Sequence, residues 1–551
     1  MARFALDSMD VRVLPQGRGR ALALAILFLA PLAFGALALF LGQDANWDLR
    51  NYHWYNAYAL VNQRYALDLL PSQTPFFYNP ALDVPFYLLA THVSARVAGF
   101  VLGTVQGLNF VLLFMLAHAS LRLSNPRQKV WACTLLAALG MLGGGGIAQI
   151  GTVFYDNITS LGVFASALLV VRHYRTLLTG PWRQAAGWAL LSGVPAGAMM
   201  GLKLPSVLFC VGLCCALVLA AGPWRRRILL GFMFGVGVLA GLTVTLGPWA
   251  FYLQTHYGSP LFPYFNEVFK SPLAPLTSAR DVQFVPTSWA DRLAFPFAFT
   301  ANPLEVGEIP WRDWRLPILY ALLPAALVLR LLFGRNTSRD DQVAEPFVAR
   351  YLLWTAAVSY AVWLLMFAIY RYAIPLEMLA PLLIVFAIGY LPLRLPFRGM
   401  LIGFALGVVI AVIQPGTWGR LPSWLDHTVE AEIPALPQDA DLMVLMAGFE
   451  PYSHVVSAFP PQVKFVRIQS NFASPDQDKG INRMLHERVA AHRGIFKLLI
   501  PNWQRDLATA ALKFYDFKIL PQSCQAVADH LYDTKLELCD LARTNPVVKH
   551  D

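Results

Sequence analysis

The sequence predicts a polytopic α-helical membrane protein of about eleven spans that ends in a small α/β domain. Three observations carry this. Of 551 residues, 57% are hydrophobic and only 14% charged, where soluble domains carry about 25%; mean hydropathy is +0.50. The apolar residues fall into runs of near-bilayer length, roughly 20 residues per crossing. From about Leu436 onward these runs give way to short β-prone stretches alternating with helix-like ones, the pattern of an α/β domain. The net charge of +10 does not point to nucleic acid. The basic residues cluster in short loops between apolar runs, which is the positive-inside pattern.

Residues 1–20 read as a basic cytoplasmic N-terminus. The run Ala21 to Leu41 is long enough to span and is expected to stay as a signal anchor. The spans are expected at approximately 21–42, 100–121, 130–148, 158–173, 185–201, 204–221, 228–252, 316–333, 351–369, 374–391 and 399–414. The stretch 81–99 holds His92 and Arg96 and reads as a re-entrant or interfacial helix. Arg12, Arg18 and Arg20, then Arg122, Arg127 and Lys129, then Arg172, Arg175 and Arg183 all fall on one side. So do Arg225, Arg226 and Arg227, Arg330, Arg335 and Arg339, and finally Arg394 and Arg398. That side is the cytoplasm, and an odd span count places the C-terminal domain in the periplasm of a bacterial inner membrane.

The same parity gathers unusual polar residues on the outer face. They are the loop 43–80, the turn at Tyr155-Asp156-Asn157, the turn at Lys203, the segment 253–315 and the turn Tyr370-Arg371-Tyr372. The segment 253–315 is too long for a plain connector and too aromatic for disorder; a lid over an outer cavity is expected. Residues 21–415 form the membrane domain and 436–551 the α/β domain. Strands are expected at Asp441 to Ala447, Val463 to Ile468 and Gly494 to Ile500. Helices are expected at Gln477 to Ala491 and Trp503 to Phe514, with a largely parallel sheet. No glycine-rich phosphate loop accompanies them.

Asp48 stands out first. It lies in Gln43-Asp44-Ala45-Asn46-Trp47-Asp48-Leu49-Arg50-Asn51-Tyr52-His53-Trp54-Tyr55, directly after the first span. An interfacial aromatic belt accounts for Trp47, Trp54 and Tyr58. It does not account for Asp48 and Arg50, because charges near the bilayer are costly and usually functional. Asp156 either caps the helix that follows it or serves chemistry. Lys203 is an isolated cation followed by Pro205; an anionic ligand explains it better than snorkelling. Arg371 has the same character, and its guanidinium suits bidentate phosphate binding. Cys133, Cys210, Cys214 and Cys215 lie in apolar runs and read as packing residues. Cys524 and Cys539 lie outside the spans, on the oxidising side, where a structural disulfide between them is expected.

Five stretches, taken together, carry a resemblance: Asp48-Leu49-Arg50-Asn51-Tyr52-His53 leading to Tyr78-Asn79-Pro80; Tyr155-Asp156; Gly201-Leu202-Lys203-Leu204-Pro205; Gly247-Pro248-Trp249 with Tyr257-Gly258-Ser259-Pro260-Leu261-Phe262-Pro263; and Arg371-Tyr372-Ala373-Ile374-Pro375. In order and spacing they resemble the GT-C class of polyprenyl-phosphate-sugar-dependent glycosyltransferases, similar to its protein mannosyltransferase-like and aminoarabinose transferase families. Ser259 stands where that class usually has Asn, and Asp48 stands without an adjacent Glu.

The resemblance implies an inverting membrane glycosyltransferase. It would move a sugar from a polyprenyl-phosphate donor to a glycan, lipid or protein acceptor at the outer face. Asp48 would be the general base, and Lys203 and Arg371 would hold the lipid phosphate. Arg50, Asn51, Tyr52, His53, Tyr78, Tyr155, His256, Tyr257 and Tyr372 would bind substrate. Asp156 would orient the acceptor or share a divalent cation, Mg²⁺ or Mn²⁺, with Asp48; no other cofactor is expected. Three other readings stay open. A secondary transporter predicts an internal repeat, which the sequence lacks. A non-catalytic partner in envelope glycan assembly would use the C-terminal domain for docking. A glycan ligase would centre on His256 and Arg280.

Overall fold

The computed structural model describes residues 11–219, 222–277, 281–334, 342–437, 440–477 and 480–544, and of Arg18 only the backbone. Arg280, Arg335 and Arg339 lie outside the described residues. The chain divides into two compact units. The first comprises residues 1–40, 100–247 and 281–418; the second comprises 41–99, 248–280 and 419–551.

The first unit is helical. Among the described residues of the whole chain, nine helices are long and apolar enough to cross a membrane: Arg20–Leu41, Ala95–Ser120, Asp156–Thr179, Trp182–Leu202, Trp224–Tyr257, Arg315–Phe333, Pro346–Met366, Tyr370–Gly389 and Leu395–Val412. Two shorter helices, Pro126–Met141 and the apolar Val207–Leu219, stand at the two remaining expected spans. Both are short for a local reason. The run expected at 130–148 breaks after Met141, where Gly143 to Gly146 lower helix propensity and a separate helix Gly144–Ala148 follows. The run expected at 204–221 starts late because Pro205 sits in a 3₁₀ turn, Leu204–Ser206.

The helix ends follow ordinary chemistry. Asn125 accepts from the Arg127 and Gln128 amides, with Pro126 at the first helical position. Close packing rests on small residues. A Cβ at Gly197 would overlap the Val238 carbonyl, and one at Gly237 the Leu190 carbonyl. Helix Trp182–Leu202 therefore meets the first part of Trp224–Tyr257 backbone to backbone. In lipid, where apolar side chains gain little by leaving the bilayer, such approach is what holds helices together. Helix Tyr370–Gly389 is almost wholly buried and forms the centre of this unit.

The second unit is built on strands. A two-residue ribbon pairs β1 (Gln43–Asp44) with β2 (Arg420–Leu421). The main sheet contains β3 (Ala431–Glu432), β4 (Leu442–Ala447), β5 (Lys464–Gln469), β6 (Ile495–Pro501), β7 (Phe517–Ile519), β8 (Gln525–Asp529) and β9 (Leu536–Arg543), in the order β3-β8-β9-β6-β4-β5, with β7 also on β9. The three strands expected from sequence pair in parallel, Met443 opposite Lys464 and Leu442 opposite Ile495. The other strands pair antiparallel, Leu498 opposite Cys539. The sheet is thus mixed rather than largely parallel. All of β4 is buried, as suits a central parallel strand. Helices Gly480–Ala491 and Arg505–Lys513 complete the domain. Cys524 and Cys539 are joined by a disulfide, with Cα atoms 4.0 Å apart.

Candidate active site

In the first unit, three of the singled-out turns come together. Tyr155 adopts a left-handed conformation (φ 63°) at the N-cap of helix Asp156–Thr179, a strained geometry for a tyrosine and one that clusters at functional sites. Asp156 is the first helical residue, and the N-cap position belongs to Tyr155. Lys203 Nζ donates to Asp156 Oδ1 at 2.6 Å and to the Phe154 carbonyl at 2.6 Å. Lys203 gets there because the helix before it ends at Leu202 and its own backbone is extended. The Lys203 ammonium also lies 5.6 Å from the Tyr372 ring centroid, and the Arg371 guanidinium lies 4.4 Å above the Phe154 ring. Two cations, one carboxylate and two aromatic rings thus share one small region, assembled from positions more than two hundred residues apart.

Behind that region lies a buried polar bracket that the sequence reading missed. Glu377, fully buried in the central helix, accepts from the amides of Gly145 (3.1 Å) and Gly146 (2.7 Å) and from the Tyr370 hydroxyl (2.6 Å). Asp313 accepts from the Gly144 amide at 2.9 Å and from Arg315 Nε at 2.9 Å. Arg315 Nη1 in turn donates to the Glu377 carbonyl at 3.1 Å. Tyr370, beside Arg371 in the chain, also packs on Trp311 with ring centroids 3.9 Å apart. The sequence did carry a signal: a carboxylate inside an apolar run, and four glycines in a row between two others.

In the second unit, the Asp48 turn is built from the N-terminus inward. Asp44 Oδ1 accepts from the backbone and side-chain nitrogens of Asn46. Asn46 Oδ1 accepts from the Leu49 amide at 2.8 Å, a capping bond that starts the helical turn. Residues Leu49–His53 then form a π-helical turn, a rare geometry often found at functional sites. The buried Asp48 carboxylate accepts from the Tyr52 hydroxyl at 3.1 Å. His53 Nδ1 lies 2.6 Å from Asp83 Oδ1, both buried; Asp83 was not singled out from the sequence. Tyr52 meets Tyr78 edge-on at 5.3 Å, and the Tyr78 and Tyr264 hydroxyls are 2.9 Å apart.

Arg50 is buried with its guanidinium 3.7 Å from the centroid of Tyr532, and its Nε donates to the Ala45 carbonyl. Burial lowers its pKa, with Tyr532, Asp529, Glu450 and Asp44 opposing that. Its Nη1 and the Asn51 Nδ2 have no hydrogen-bond partner among the described residues. Tyr257 is buried against Phe77 and Phe262. His256 is exposed on the same helix and bonds back to the Tyr252 carbonyl.

Asp48 belongs to the second unit and Asp156 to the first. The charge that meets Asp156 is an ammonium. Among the described residues, one group of three potential ligands brings its donor atoms within 4.8 Å: Cys524, Glu537 and Cys539. Its two sulfurs are bonded to each other, so it does not suit a metal.

No family model matches the sequence, and no curated protein matches it. Among solved structures, the chain is similar to the crystal structure of ArnT from Cupriavidus metallidurans bound to undecaprenyl phosphate. Identity is 12%, coverage 94% of this chain and 97% of that one, and the TM-score 0.39.

Proposed function

We propose that this protein is an inner-membrane glycosyltransferase that passes a sugar from a polyprenyl phosphate to an acceptor hydroxyl at the outer face. The observation that carries this reading is the grouping of Lys203 and Arg371 around the Phe154–Asp156 turn. Two fixed cations with aromatic walls at the end of membrane helices fit a lipid-linked phosphate. A transporter would instead be expected to place its charges near the bilayer midplane.

In this reading Asp48 takes the acceptor proton as the acceptor oxygen attacks the anomeric carbon. The bond from that carbon to the phosphate oxygen breaks, and the phosphate leaves with the bonding pair. Single displacement inverts the anomeric centre. Lys203 and Arg371 stabilise the charge that grows on the leaving phosphate, where preorganised cations act most strongly. Arg50 and Asn51 carry buried donors without a partner among the described residues, which suits them to a polar substrate.

The test uses purified full-length protein in lipid nanodiscs, supplied with a panel of undecaprenyl-phosphate-linked sugars. Release of undecaprenyl phosphate is measured. Asp48→Asn should lower turnover by about 100- to 10,000-fold, the usual contribution of a general base. Lys203→Ala and Arg371→Ala should raise KM for the donor. Wild-type protein that folds and releases no undecaprenyl phosphate from any donor would remove the reading.

A further inference from the structure

The α/β domain of the second unit has no part in the chemistry just described. In open sheets with parallel strands, ligands bind beyond the carboxyl ends of the strands, where strand order reverses. Here that point lies past β4, between its parallel neighbours β5 and β6. The chain's own residues 69–74 run along β5 to the end of β4. Leu69 pairs with Val466 as a parallel bridge on the outer edge of β5. Arg467 Nε donates to the Pro71 carbonyl at 2.8 Å, and its Nη1 to the Gly448 carbonyl at 2.8 Å. Gln73 Nε2 donates to the Phe449 carbonyl at 3.0 Å and to Asn51 Oδ1 at 3.2 Å.

From that edge the domain reaches the π-helical turn beside Asp48. The Ser453 hydroxyl donates to the Asn51 carbonyl. His454 Nδ1 lies 3.0 Å from the Arg50 carbonyl, and its Nε2 lies 3.0 Å from Asp529 Oδ2. Asp529 also accepts from the Leu531 amide and the Thr534 hydroxyl. Both ring nitrogens of His454 therefore face oxygens, one from the turn and one from its own domain. Tyr532, three residues after Asp529, supplies the face on which Arg50 rests. Trp54, just past the turn, donates to Ser457 at 2.8 Å. Backbone and side chain of the turn are thus gripped from positions about four hundred residues away.

We infer that the α/β domain is a clamp on the Asp48 turn, with His454, held by Asp529, as its positioning residue. The inference rests on the reading of Asp48 as the base. Its physical content is that a π-helical turn, left to itself, relaxes toward ordinary helix and moves Asp48 relative to the acceptor.

The experiment uses full-length protein in nanodiscs as His454→Ala and as Asp529→Asn, with the undecaprenyl-phosphate-linked sugar on which the wild type is most active. The expected result is a fall in kcat of about tenfold or more, toward the roughly 100-fold that a 1 Å misplacement costs. KM for the donor should stay within about twofold, since neither substitution alters Lys203 or Arg371. Amide exchange should quicken over residues 46–55 and stay at wild-type rates in the helix Pro346–Met366. Asp529→Asn keeps the side chain's shape and guards against a folding failure in His454→Ala. Unchanged kcat in both variants overturns the clamp, and so does a kcat loss matched by faster exchange throughout the chain. Asp48→Asn is run alongside. If it turns over normally, the base assignment fails, and exchange over 46–55 in the His454 variant still decides whether the domain holds the turn.

Discussion

Lys203 and Asp156 form an ion pair at 2.6 Å with side chains 15% and 5% exposed. At that burial each charge depends on the other, and removing one partner of a buried pair costs about 3–5 kcal/mol. Removing both charges together costs far less, because no uncompensated charge remains. Lys203→Met alone should therefore lower the thermal midpoint clearly, while Lys203→Met with Asp156→Asn should recover most of it. Donor KM should stay raised in the double variant if Lys203 binds phosphate; a return to the wild-type KM would make the pair purely structural. Asp529 allows a second test at this scale. Burial pushes its carboxyl up, but His454, the Leu531 amide and the Thr534 hydroxyl outweigh burial and hold it below the usual carboxylate range. A depressed folded pKa contributes stability above the unfolded value, near 3.9, and that stability is lost as pH falls through the folded value. Acid should thus destabilise the second unit below about pH 4, and Asp529→Asn should flatten that acid limb. An identical acid limb in the variant would assign the loss to other carboxylates.

The central helix shows what hydropathy can and cannot reveal. Its run from Ile374 to Gly389 reads as a span because its residues other than Glu377 are apolar or small. Two of the three partners of Glu377 are backbone amides, at Gly145 and Gly146, and backbone amides leave no mark in a sequence. The break after Met141 was hidden for a related reason: no proline announces it, and glycine is common in membrane helices. In the second unit, β4 was legible as a continuous apolar run, and β5 and β6 as short apolar stretches interrupted by basic residues. β8 was not, since only Val527 of its five residues is buried. The Asp48 turn was legible by its charges, but its support from His454 and Asp529 was not, because those contacts join distant stretches. Glu377→Ala should be costly. It leaves two amides and a tyrosine hydroxyl buried without their acceptor, each worth about 1–3 kcal/mol. Glu377→Gln keeps one of the two acceptor oxygens and should lose less. Thermal midpoints in one detergent compare the two; equal losses would mean that packing, not hydrogen bonding, sets the helix position.

At the scale of the whole chain, the described residues hold nine helices long and apolar enough to cross a membrane and two shorter ones at the remaining expected spans, and read as eleven crossings between basic loops they make a topological prediction. The Lys and Arg groups at 122–129, 172–183, 225–227 and 394–398 share one side only if an even number of crossings separates each group from the next. The N-terminus is then cytoplasmic, and the odd count puts the C-terminal domain outside. The disulfide offers an independent check, since such bonds persist in oxidising compartments and are rare in the cytosol. It closes a loop with a sequence separation of 15 residues, for which the chain-entropy account gives about 3 kcal/mol of stabilisation. Three outcomes are expected together. A C-terminal reporter that needs the periplasm should be active. Thiol labelling without reductant should miss Cys524 and Cys539. Cys524→Ser with Cys539→Ser should lower the stability of the second unit by about 2–4 kcal/mol. The first two bear on the same claim by different physics, because charge placement decides insertion and compartment redox decides the bond. A reporter active only in the cytoplasm, with both cysteines reactive, would reverse the orientation and with it the outer-face assignment of Asp48, Lys203 and Arg371. A periplasmic reporter with reactive cysteines would leave the topology standing and remove only the disulfide from the working protein.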